Sequence, residues 1–522
     1  MPAGQETDRR SFLKYSGTAA AAATTVSMAG CTSSDDEDAD EEETEDFEVT
    51  VTQGQLTETL DPIADNATPI YNIVDQAYEP FLYRDEEGRP IERIVTEWER
   101  IDDNTVQLEV RDGVQFHSGN EMTASDVAYS INRANGTEAG DSDVVSAIGD
   151  IDEAVVEDGD VIVNLNAVVP EIFRNLNAFG RVVEEEWVEE RDGNLTTEMN
   201  GTGPYELVDF EEGSHVEYEQ FDDYWGEEPD VTGGRFNARE ESGPRIDSLL
   251  AGETDLIVNV PPEDISDVEE ADNADSEFLP SIRSIFLVLN DAHTPFDDQQ
   301  FRQAMNYAVD VEAIIESQLN EFGAPTSQPT LEGHAGYNPD VDRYPYDPDE
   351  AERLIDESGH DGEEITLHVP VGRYLGGVNV AESAAGQIDE LDNVSCSVER
   401  RDFSALVGEL IDPDQEVSPG FFLIGWGNPT FDADYTMTPW FRDDGDFQHF
   451  NDDEIQSLLS QADNEADPDA RDSILQDANA RANEIASWVF LHQQFSIYGT
   501  SDRIDWDARE DEDILFEEIS RA

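Results

Sequence analysis

Leu108-Glu109-Val110-Arg111-Asp112-Gly113-Val114-Gln115-Phe116-His117-Ser118-Gly119, with Thr123-Ala124-Ser125-Asp126-Val127 just beyond, carries two structural periods and the punctuation between them. From Thr105 to Arg111 apolar residues alternate, with Val106, Leu108 and Val110 on one face, which predicts a half-buried strand. Thr123 then stands as the N-cap of a helix, and Asp126 is placed to reach back to the cap. A strand followed by a capped helix belongs to a mixed α/β chain, and the pattern repeats outward in both directions. Upstream, Phe47 to Val51 reads as a first strand. Downstream, residues 161–165 read as a strand, 284–290 as a buried one, and 421–424 as another that ends in Gly425-Trp426-Gly427. One amphipathic helix is predicted from about Asp298 to Leu319, with Phe301, Met305, Ala308 and Ile315 on its apolar face. Asp347-Pro348 opens a helix that Gly359 closes; Asp467-Pro468 opens a long one, after which residues 488–498 return as a strand. The order calls for more than one core.

Charge narrows the function. Of 522 residues, 124 are Asp or Glu and 28 are Lys or Arg, a formal charge of −96, and Lys14 is the single lysine. With 38% hydrophobic and 9% aromatic residues, the chain has ample material for large cores and is no disordered acidic tail. No basic footprint exists to displace counterions from phosphate, which excludes nucleic acid as a partner. The charge repels itself in dilute buffer, but the Debye length is only about 3 Å at 1 M salt, so the composition predicts a halophile's protein. The lone lysine removes the P-loop, the kinase lysine and the pyridoxal Schiff base, and neither HExxH nor GxSxG occurs. No catalytic residue is assigned, and no cofactor or metal is expected, since the eight histidines are scattered.

The N-terminus reads as an address. Arg9-Arg10-Ser11-Phe12-Leu13-Lys14 has the shape of a twin-arginine export signal, and Met28-Ala29-Gly30-Cys31 resembles a lipobox. Residues 1–30 are therefore expected to be a signal and Cys31 the lipidated residue that anchors the protein to the outer face of the cell membrane. Residues 35 to 48 hold eleven acidic residues in fourteen, and such a run stays extended, so residues 31–46 are expected to act as a tether. Cys396 is the other cysteine; its strand-like surroundings predict a small buried apolar residue.

Several stretches in order resemble family 5 solute-binding proteins of ABC importers, the oligopeptide-, dipeptide- and nickel-binding group. They are Thr59-Leu60-Asp61-Pro62; Ile73 to Arg84; Leu108 to Gly119 and the Thr123 helix start; Gly201-Thr202-Gly203-Pro204-Tyr205; Tyr224-Trp225; and Gly252 to Leu256. Pro295-Phe296-Asp297-Asp298 leading into Arg302 and Tyr307, then Gly425-Trp426 and the terminal helix and strand, complete the series. The resemblance, of haloarchaeal type given the charge, implies an α/β type II periplasmic-binding-protein-like fold: two lobes, an inserted subdomain and a hinge. Mapped onto this chain, lobe I takes 47–85, 196–285 and 495–522, the insert 86–195, and lobe II 286–494. The crossovers near Ser284–Asn290 and Phe490–Tyr498 become the hinge.

The resemblance also ranks residues. Trp426 ends an apolar strand and enters a polar loop, where a ligand site is expected. Peptide-binding members carry a carboxylate three residues after this Trp; here the position is Pro429, so Asp432 or Asp434 is the substitute. Asn428 and Tyr435 join them, as do Arg373 and Tyr374 in a glycine-flanked loop. The Gly201 segment reads as a structural turn with Tyr205 near the cleft. His117 reads as structural, Arg302 as half of an ion pair, and Arg400-Arg401 as paired with Asp402. The expectation is a monomeric, lipid-anchored receptor, not an enzyme, that closes on a peptide or other small-molecule solute and delivers it to the permease subunits of an ABC importer. A nickel, metal-chelate or sugar receptor is the alternative on the same fold, with a secreted hydrolase or a structural envelope protein as the readings from other classes.

Overall fold

Ile285-Phe286-Leu287-Val288-Leu289 and Trp488-Val489-Phe490-Leu491 are buried throughout, which suits strands covered on both faces. In the computed structural model, which describes residues 46–522 except 65–66, 86–87, 141, 413–416 and 466, they lie in two long neighbouring strands, Ala274–Leu289 and Trp488–Ser501. These strands pair antiparallel over nearly their whole length. Ala274 to Pro280 faces Ser501 to Phe495, and Ser284 to Val288 faces Gln493 to Trp488, with the register broken between Pro280 and Ser284. The export segment, Cys31 and residues 31–45 lie outside the described residues.

The two long strands sit in the middle of one large mixed sheet. On one side Ala274–Leu289 pairs with Phe421–Gly427, which is followed by Glu363–Pro370 and Val394–Arg401. On the other side Trp488–Ser501 pairs with Leu256–Val258, followed by Glu48–Gln53, Gly233–Ala238, His215–Gln220 and Tyr205–Glu211. Each end of the sheet has its own core. Residues from Ile285 to Leu491 form one, with Phe286 and Trp488 stacked at 3.7 Å in its centre. Phe47, Val51, Tyr205, Phe236 and Phe516 belong to the other. The molecule thus has two lobes joined by a pair of continuous strands, and the break after Pro280 falls where one core gives way to the next. A third core, between Ile63 and Val182, belongs to an inserted subdomain. Its sheet runs Val95–Asp102, Thr105–Val110, Asp160–Leu165, Ile151–Glu157, all antiparallel, against the helix Ala124–Ala134. That helix starts as its sequence predicts: the Thr123 amide and hydroxyl both donate to Asp126.

Several local expectations are corrected. The helix predicted from Asp298 to Leu319 is two, Gln299–Ala308 and Val311–Gln318, because the Asp310 carboxylate accepts from the Ala313 amide and starts a second helix. Among the described residues Arg302 has no carboxylate in ion-pair contact; its guanidinium donates to the carbonyls of Phe296 and Ile485, stitching helix to core. Arg400 pairs with Glu382 and Arg401 with Glu409, while Asp402 caps the helix Phe403–Leu410. Cys396 is only half-buried, since its strand is the sheet's edge. Tyr205 lies in a core, its hydroxyl donating to the Val231 carbonyl. The Gly201 segment is the tight turn expected: a Cβ at Gly201 would fall 1.9 Å from the Ala77 oxygen. His117 bonds the Gly203 carbonyl, and burial pulls its pKa down to about 4, which keeps it neutral.

Candidate functional site

The strand Phe421–Gly427 delivers its last residues to the seam between the lobes. Trp426 is half-buried there, edge-on to Phe447 at 5.3 Å and to Trp440 at 5.6 Å, with Tyr435 6.0 Å away. Its Nε1 has no hydrogen-bond partner among the described residues. Tyr435 stacks on Phe179 of the insert at 5.5 Å, so this aromatic run crosses from one body to the other. Burial pushes the Tyr435 hydroxyl up to about 12 and leaves it protonated, a donor.

Residues 428–432 link the strand Phe421–Gly427 to the helix Ala433–Phe441. Asn428 and Asp432 were expected to meet ligand, and in this structure the side chains of both are engaged by the protein itself. The Asn428 amide nitrogen donates to the Asp432 carbonyl and the Thr436 hydroxyl, and its oxygen accepts from Thr430, so its capacity is spent on shaping the loop. Asp432 receives both terminal nitrogens of Arg471, at 2.7 and 2.9 Å, and caps the helix Ala433–Phe441. Asp434, half-buried, accepts from the Thr438 hydroxyl at 2.7 Å; burial lifts its pKa, opposed by Arg471. Arg373 and Tyr374 lie between Glu363–Pro370 and Gly377–Asp389. The Arg373 guanidinium covers the rings of Phe403 and Tyr374 at 5.1 and 5.4 Å, and the Tyr374 hydroxyl donates to the Gly425 carbonyl.

Other residues close the seam, and sequence reasoning passed over them. Arg84 donates to Asp511 and Asp513 in lobe I and to the Pro429 carbonyl in lobe II. Arg174 of the insert donates to the carbonyls of Gly88 and Thr430. Arg471 reaches past Asp432 to Glu171 of the insert at 3.0 Å. Phe431 turns its ring onto Gly88, where a Cβ would fall 2.4 Å from the ring. Between these contacts, Arg283 pairs with Glu512 at 3.0 Å, and a Cβ at Gly427 would come within 3.3 Å of its guanidinium. Burial disfavours both charges, yet each holds the other ionised: Glu512 is lowered below its ordinary value and Arg283 raised. The run Arg509 to Asp513, which lines this seam, gave no signal in a chain so rich in acid. The arrangement is a pair of lobes shut on a seam of aromatic rings and paired charges.

The sequence profile of bacterial extracellular solute-binding proteins, family 5 (Middle), matches residues 89–448, well over half of the chain. The chain belongs to that family. Among its relatives, the dipeptide-binding protein of Escherichia coli K12 is 25% identical over 294 residues, which span 51% of this chain and 54% of that protein. The glutathione-binding protein GsiB of Pectobacterium atrosepticum is 21% identical over 468 residues, 88% of this chain and 90% of its own. The crystal structure of a dipeptide-binding protein from Pseudoalteromonas sp. SM9913, in complex with Met-Leu, superposes with a TM-score of 0.81 at 18% identity, covering 91% of this chain and all of that one. This family 5 protein therefore has the type II periplasmic-binding fold, and the relatives named here are binding proteins, not enzymes.

Proposed function

We propose that this solute-binding protein is the extracytoplasmic receptor of an ABC importer, that it captures a peptide-like small solute by closing its lobes, and that it hands the solute to the permease. One observation carries the reading: both lobes meet across a seam where Trp426, Tyr435, Tyr374 and Arg373 stand beside the Arg283–Glu512 pair, at the register break of the two connecting strands. Aromatic faces with a few fixed charges are what a small zwitterionic solute needs, and a ligand touching both lobes favours the closed state by its differential affinity. That the relatives named above are called dipeptide- and glutathione-binding supports the peptide class. The twin-arginine segment and Cys31 extend the proposal: the protein is exported folded, lipidated at Cys31, and held off the membrane by the acidic run, as a monomer in high salt. Among the described residues no helix is long and apolar enough to cross a membrane.

The test is mass spectrometry of small molecules released from protein purified in high salt, followed by calorimetric titration. A peptide with micromolar or tighter affinity, and Trp426→Ala weakening it about tenfold or more with the melting temperature little changed, is the expected outcome. A sugar or a metal complex in the cleft overturns the peptide class. A solute that is turned over instead of held overturns the receptor reading.

A further inference from the structure

Of the loop carboxylates near the seam, Asp432 is held bidentately by Arg471 and Asp434 by Thr438. Glu512 is placed differently. It comes from the C-terminal segment of lobe I, its side chain is 12% exposed, and its backbone holds a left-handed φ of 69° that a glutamate adopts only under constraint. Its Oε1 accepts from the Ser496 hydroxyl, and its Oε2 accepts from Arg283 at 3.0 Å and from Thr68 at a long 3.4 Å. Arg283 lies within the register break, and the neighbouring backbone ties that break to both lobes: the Ile282 amide donates to the Glu510 carbonyl, and the Asn428 amide donates to the Ile282 carbonyl. Arg373 acts on Glu512 as a second positive charge. The seam thus pairs Glu512 with Arg283, and Arg373 adds to the positive field on it.

We propose that the Arg283–Glu512 pair is the specificity element of this cleft: a ligand's ammonium group takes Glu512 while its carboxylate takes the arginine released. The inference rests on the receptor reading above and deepens it. The physical ground is that a buried pair is costly to break when one charge is left unmatched, yet exchange with a zwitterion leaves every charge matched. A ligand lacking its ammonium strands Glu512, and a neutral solute strands both groups. Selection thus comes from the penalty on incomplete ligands more than from new attraction.

The probes are a free dipeptide and its N-acetyl form, each titrated into the wild-type protein, Glu512→Gln and Glu512→Asp in high salt, with melting temperatures measured alongside. The wild type is expected to prefer the free dipeptide by a hundredfold or so. Glu512→Gln should lose most of that preference, chiefly because the N-acetyl form no longer strands a carboxylate and binds more tightly, and Glu512→Asp should restore part of it. Because each ratio is taken within one variant, partial unfolding cannot imitate the result. A preference unchanged in Glu512→Gln overturns the assignment of Glu512 and leaves the receptor reading standing. If neither probe nor any other dipeptide binds the wild type, the peptide reading falls, and this assignment with it.

Discussion

Phe431 shows how much a single side chain contributes to closure. Its ring is 5% exposed, lies 4.8 Å from His334, and rests on Gly88, which has no side chain to obstruct it. Removing a buried phenylalanine costs about 3–5 kcal/mol, and here part of that loss is charged to the closed state alone. Phe431→Ala should therefore lower the closed population and weaken ligand by about tenfold or more, read as a longer distance between fluorophores on the two lobes. Gly88→Ala should do the same from the other side, since its Cβ collides with the ring and its φ is 69°. The double variant should recover part of the closure, because the alanine then meets no ring. A double variant as open as the two single losses combined would show that the ring and the glycine do not act through their contact.

At the scale of elements, the helix Pro468–Glu484 and the insert helix Ile172–Phe179 are joined by Arg471 and Glu171, the latter standing at the N-cap of its helix. Arg471 and Asp432 both belong to lobe II and Glu171 to the insert, so this contact spans the seam. Glu171→Gln, neutral at every pH, should leave closure intact at low pH and keep it as pH rises. With side chains 8% and 13% exposed, the pair is cut off from water, and removing the Glu171 charge from solvent is not fully repaid by Arg471. Burial first, then Asp434 and Asp432, push the Glu171 carboxyl up to about 8, against the pull of Arg471. A group raised in the closed state binds its proton more tightly there. Closure is therefore fully favoured below the ordinary glutamate range near 4.5 and loses that contribution as pH rises towards about 8. Affinity should fall across that window in the wild type, and the slope should flatten in Glu171→Gln. An identical slope in both would place the titration on other groups; Asp434, Arg174 and His334 surround the same spot.

For the whole molecule, the charge of −96 sets the solvent the fold requires. The charges that hold the lobes shut are few and buried, whereas the surplus of acid lies outside them. Salt screens exposed repulsion over its Debye length and leaves buried pairs largely untouched. The melting temperature should accordingly rise by on the order of 10 °C between 0.1 and 2 M potassium chloride. Calorimetry at fixed pH checks it, and a flat profile would mean that surface acidity does not limit stability.

The sequence by itself determined what depends on local order. Alternation and capping gave the α/β class, the Thr123 start, strands near residues 284–290 and 488–498, and Trp426 at a strand end, whereas the pairing of those two strands and the start of the first at Ala274 came only with the structure. The sequence left partners open wherever one residue type had many possible ones. Asn428 and Asp432 have the chemistry of ligand contacts, but folding brings Thr436 and Arg471 to them first. Arg283 and Glu512 are 229 residues apart and carry no local signature. Among 124 acidic residues only the tertiary structure could decide which one would meet Arg283. Spacing along the chain fixes periodic faces, because neighbours there are set by the backbone. Charge pairing across a seam is set by which lobes meet, and that belongs to the fold.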